Sequence, residues 1–129
     1  MKFSCYQVNI QHRNQNNQKS QWKISEAEEL EIFVTGLLNK WCDQTKMKIW
    51  SLPKQVGSFL QIGVERQSIG GSTKLYMAKF TCDHNGTWHG FPVSSKSVQD
   101  QPSEELMDVW YKMGLIDKSF RNKWSQGKI

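Results

Sequence analysis

Lys74–Ser94, KLYMAKFTCDHNGTWHGFPVS, is the stretch whose reading decides the fold. It predicts two strands joined at Asn85-Gly86, a pair favoured in two-residue type I′ turns because both central positions need positive φ. On that register Cys82 faces His89, Asp83 faces Trp88 and His84 faces Thr87. Side chains alternate along a strand, so Tyr76, Ala78, Phe80, Cys82 and His84 would share one face with Thr87, His89 and Phe91. This face is the more uniformly apolar and is expected to point at the helices, with its polar end at the sheet rim.

Working outward, Leu60, Ile62 and Val64 alternate with polar residues, and Thr45–Leu52 alternates before Pro53. With Ser68–Ser72 (SIGGS) as a turn, residues 45–94 read as a four-strand antiparallel meander. Residues 2–10 alternate as well and are expected to add an edge strand. Residues 11–21, QHRNQNNQKSQ, contain no apolar residue and read as a polar loop.

Ser25 and Glu28 have the spacing of a capping box. The following Leu30, Phe33, Val34, Leu37, Leu38 and Trp41 form a stripe, which predicts an amphipathic helix over Glu26–Asp43. Ser103 after Pro102 starts a second helix with Leu106, Val109, Trp110 and Met113 on its apolar face, and Gly114 sits where a helix stop is needed. Asp117 starts a third, carrying Phe120 and Trp124. The expected class is therefore α+β in a single domain, 1–129. One long helix precedes an antiparallel sheet of four to five strands and two shorter ones follow, all packed on one face.

Composition narrows function mainly by exclusion. The 129 residues are 37% apolar and 22% charged, and six Trp and six Phe supply bulky core filling. No apolar run reaches the length of a membrane span, so no membrane partner is expected. The start, MKFSCYQVNI, has no apolar core of signal-peptide length, and Cys5, Cys42 and Cys82 are odd in number and widely spaced. Both point to reduced thiols in the cytoplasm. The formal charge is +5, carried by fourteen Lys and only three Arg. Such a surface suits loose phosphate contact better than bidentate base reading.

Three chemistries compete for the hairpin tip. Cys82, His84 and His89 are zinc-type ligands, with Cys42 or Cys5 as a distant fourth, but their spacing matches no finger, so neither metal nor cofactor is expected. His84 and His89 could act as an acid–base pair on RNA, with Lys79, Lys74 or Arg66 holding phosphate and His12 in reserve. The simplest reading is structural, with His89 a satisfied residue beside Cys82. Elsewhere, Trp50 and Trp88 with Lys48 and Lys79 offer a stacking surface for single-stranded nucleic acid. Lys46, Lys54 and Lys74 would add phosphate contacts.

In outline, a meander followed by a helix resembles double-stranded-RNA-binding domains, although the Lys-rich start of their final helix is missing here. Small endoribonuclease toxins are similar in setting helices against a four-strand antiparallel sheet, and a hairpin histidine would suit them. Both likenesses are of topology, which does not carry function. The sequence thus sets one leading expectation: a small cytoplasmic, non-catalytic binding protein that docks a protein partner through its sheet face or edge, with RNA or DNA as a sub-case. The alternative is a small metal-independent endoribonuclease using His84 and His89.

Overall fold

A computed structural model describes residues 5–53, 60–66 and 73–127. The expected turn at Ser68–Ser72, Lys54 and the first residues of the N-terminal strand lie outside the described residues. The protein is α+β, with seven strands and three helices among those residues.

The long pair is β6 (Met77–Cys82) and β7 (Thr87–Val93), antiparallel as expected. On the outer side of β6 lies β3 (Lys48–Ser51), and β1 (Cys5–Tyr6) pairs parallel to β7, giving the order β1-β7-β6-β3. The N-terminal strand thus joins as an edge, but only two residues of it pair. The meander does not form. β4 (Gly63–Val64) and β5 (Lys74–Leu75) leave this sheet and pair with each other, and β2 (Gln21–Trp22) completes a separate three-stranded sheet on β4. Sequence-adjacent strands usually pair, yet β3 here skips β4 and β5 to reach β6.

Helices cover both faces of the four-stranded sheet, which corrects the one-face expectation. Ile49, Ala78, Phe80 and Trp88 point to one side and pack with Ile32 and Phe33 of α1 (Glu26–Leu38). Trp50, Met77 and Val93 point to the other and pack with Leu106, Met107 and Trp110 of α2 (Glu104–Lys112) and Phe120 and Trp124 of α3 (Lys118–Ser125). The cause is legible in the strands. Successive residues Ile49 and Trp50 are both bulky, apolar and buried, so each face must be covered.

Helix ends follow the local chemistry. Ser25 and Glu28 form the capping box, while Ser103 and Asp117 accept from Leu106 N at 3.2 Å and Phe120 N at 2.7 Å. Gly114, at φ +76°, closes α2: its N–H donates to Tyr111 O (3.0 Å) and that of Leu115 to Trp110 O (2.9 Å). The same 5→2 and 6→1 bonds end α1 at Leu38, five residues before the expected Asp43. Lys40 takes the left-handed position (φ +57°) and Trp41 N donates to Gly36 O. None of the helices among the described residues is long and apolar enough to cross a membrane.

Candidate functional site

The hairpin loop holds three residues rather than two. Asn85 is not among the positive-φ residues, whereas Gly86 sits at φ +80°, and Gly86 N donates to Asp83 O at 3.1 Å. This is a type I turn followed by a left-handed glycine. Asp83 fixes it, because Oδ1 accepts the amides of Asn85 (2.9 Å) and Thr87 (3.0 Å). The register therefore slips by one, pairing Cys82 with Trp88 and Thr81 with His89. A one-residue slip turns every side chain of a strand to the other face. Cys82 and His89 consequently lie on opposite faces, and the expected thiol–imidazole cluster does not exist.

The two histidines meet instead around Asp83. His89 Nε2 lies 3.7 Å from Asp83 Oδ2, and both side chains are part-exposed. Asp83 is held below the usual carboxylate range, chiefly by the Thr87 amide, with smaller help from Asn85, His84 and His89. His84 is exposed at the tip, and His89 Nδ1 is buried with no partner among the described residues. At 3.7 Å the carboxylate is beyond hydrogen-bond distance of the imidazole and meets it as a neighbouring charge. Among the described residues no group of three His, Cys, Asp or Glu is placed to hold a metal ion.

The proposed stacking surface is interior. Trp88 is fully buried, and Trp50 lies under the 3₁₀ turn Val98–Asp100, its indole N–H donating to Asp100 O at 2.8 Å. Lys79 is buried as well. Its ammonium donates to Gln99 O (3.2 Å) and Asp100 Oδ1 (3.0 Å) and lies 5.8 Å from the centre of a Trp50 ring. Neither indole can receive a base, and Lys79 cannot reach a phosphate, in this fold. Lys48, Lys74 and Arg66 are exposed but are not assembled with them into one surface.

A polar groove of about 360 Å³ runs beside the C-terminal half of β7, lined among others by His12, Lys19, Arg66, Phe91 and Lys96. His12 is 6% exposed, and its Nδ1 lies 2.8 Å from Ser20 O. The backbone carbonyl can only accept, so Nδ1 carries the proton and Nε2 the lone pair. Ser20 is itself anchored through Oγ to Pro92 O at 2.8 Å. The imidazole stacks on Phe91, with centroids 5.2 Å apart and planes 16° from parallel. Burial pushes the His12 pKa down, aided by Lys19 and opposed by the Ser20 bond. In the sequence this residue is a lone histidine in a Gln/Asn-rich loop, and nothing local announces its burial.

The outer surface of α1 is the second departure. The helix buries Glu29, Ile32, Phe33 and Gly36. Leu30, Val34 and Leu38, at i, i+4 and i+8, are 44%, 38% and 75% exposed. Half of the expected core stripe therefore faces outward. Two contacts set this rotation. A Cβ on Gly36 would come within 2.6 Å of Ile49 Cγ2, so the helix backbone lies against β3 at a point only glycine permits. Glu29, fully buried, accepts from Arg13 Nε (3.0 Å) and Nη2 (2.7 Å) at Oε1 and from the Tyr6 hydroxyl at Oε2. Burial first and the Glu29 bond second push the Tyr6 pKa up. Arg13 also donates to Ile24 O at 2.8 Å, which ties the polar loop to the start of the helix.

Compared with known proteins, the chain matches no family model, no curated protein and no solved structure.

Proposed function

We propose that this is a non-catalytic binding protein that docks a protein partner through the outward face of α1. The observation that carries the reading is the uncovered row Leu30–Val34–Leu38 on a helix whose inner face is already packed. Contiguous apolar surface on a folded domain marks an interaction site, and three residues at helical spacing suit an amphipathic helix or a shallow apolar groove. Both sheet faces carry helices, so the docking surface moves from the sheet to α1. Glu26, Glu28 and Glu31 are exposed along the same helix, on a chain of net charge +5. The partner that fits is apolar at its centre with a Lys/Arg rim, and the acids favour its approach and orientation.

The test is a matched pair of captures, wild type against Val34→Glu/Leu38→Glu, from lysate of the source organism. Each substitution falls on an exposed site, so the thermal midpoint should stay within about 2 °C, as surface changes usually do. A partner held by wild type, lost by the variant and reconstituted from purified components supports the proposal. An identical captured set refutes it. Sedimentation of the purified chain separates the case in which α1 meets a second copy, which would replace the foreign partner.

A second reading, a metal-independent endoribonuclease, draws on His84 and His89 flanking Asp83. Cleavage of total RNA in EDTA that disappears in both His84→Ala and His89→Ala would establish it. Absence of cleavage by the wild type would remove it.

A further inference from the structure

The His12 groove lies away from α1 and owes nothing to partner docking. We infer that it is a binding site for a small phosphorylated polyol, a molecule that presents a phosphate and a hydroxyl together. Its volume of about 360 Å³ suits a sugar phosphate or a mononucleotide.

The hydroxyl half of the recognition comes from His12. Its Nδ1 proton is committed to the Ser20 carbonyl, and its ring is held against Phe91, so the imidazole cannot rotate to exchange its nitrogens. Nε2 is left as an acceptor. Among the described residues no donor reaches it, and His12 lines the groove. A side chain more than nine-tenths buried, with one unused acceptor beside a cavity, calls for a donor from the ligand.

The phosphate half comes from Lys19, Arg66 and Lys96. All three line the same groove, and among the described residues none is in an ion pair. Two carboxylates also line it. Asp100 is spent on buried Lys79, and Glu65 accepts the Arg66 backbone amide. Three cations against one uncommitted acidic charge leave an excess that a phosphate dianion would neutralise through charge-assisted bonds. The oxygens of a phosphate monoester dianion carry no proton, so in such a ligand the donor that Nε2 takes comes from a separate hydroxyl.

Isothermal titration at low salt with ribose 5-phosphate, AMP, adenosine and inorganic phosphate tests this. Ribose 5-phosphate or AMP should bind saturably and about tenfold more tightly than adenosine or inorganic phosphate, since each half contributes roughly one good hydrogen-bonded contact. AMP exceeding ribose 5-phosphate identifies a nucleotide site, and equality identifies a sugar-phosphate site. His12→Phe should abolish the preference over inorganic phosphate, and Lys96→Ala should weaken binding about tenfold. Lys96 is exposed, so its variant keeps the test valid if His12→Phe fails to fold. No saturable binding by either phosphorylated ligand overturns the inference. So does binding matched by inorganic phosphate, and so does binding unchanged in Lys96→Ala.

Discussion

Replacing Arg13 by Met should be among the most damaging single changes available to this fold. The guanidinium supplies two of the three donors to a carboxylate with no solvent exposure, the third being the Tyr6 hydroxyl. Methionine fills much of the same volume but leaves Glu29 charged and buried with one neutral donor. Removing one partner of a buried pair costs about 3–5 kcal/mol, because the remaining charge is uncompensated. Total stabilities of such domains are about 5–15 kcal/mol, so the loss is a large share. The thermal midpoint should fall by on the order of 10–20 °C, at roughly 4 °C per kcal/mol for this size. The companion variant Arg13→Met/Glu29→Gln removes the stranded charge while keeping an acceptor for Tyr6, and should recover a substantial part of the loss. Urea unfolding of the three proteins at pH 7 reads all of this. A double variant as unstable as the sum of its parts would refute the assignment of the ion pair as a buried charge cage.

Three further outcomes follow from single contacts. Gly90→Ala would drive a methyl into the Phe80 ring and within 2.9 Å of the Tyr6 hydroxyl, and should cost about 2 kcal/mol or more by denaturant melt, because Phe80 is fully buried and cannot yield. Gly86→Ala should destabilise the hairpin through its φ of +80°, whereas Asn85→Ala should cost less than about 0.5 kcal/mol, an ordering that a two-residue type I′ turn would not give. His12, whose pKa burial lowers from 6.5, contributes stability that is complete above about pH 6.5 and is lost as pH falls toward the folded value; His12→Gln should flatten that part of the stability profile in a pH series of thermal melts.

How much of this was readable in advance depends on the distance over which the deciding interaction acts. The caps at Ser25, Ser103 and Asp117 and the stop at Gly114 involve groups three to five residues apart, and the sequence states them. The hairpin was legible as a hairpin, yet its register turned on Asp83, whose carboxylate takes two amides and favours a three-residue loop over the Asn-Gly pair alone. Asp at the first position of a type I turn with Gly at the fourth was a usable signal. Nothing comparable announced that β3 would pair with β6. That choice belongs to the whole sheet, with β4 and β5 drawn off to β2.

The outward face of α1 shows why apolar periodicity can name the helix and miss its orientation. At about 100° per residue Leu30, Phe33, Val34, Leu37 and Leu38 crowd into about 140° of the wheel with Ile32 alone outside that arc, so apolar periodicity would turn the Leu30 and Leu37 side inward. Contacts that tolerate only one angle then decide. Gly36 admits β3 to the helix backbone, and Glu29 can be buried only where Arg13 and Tyr6 meet it. Rotating the helix to cover Leu30, Val34 and Leu38 would expose Glu29 and release its cage. It would also place side chains where Ile49 now touches glycine. The apolar row is therefore left at the surface by the same two contacts that fix the core, and a partner that covered it would add burial without disturbing either one.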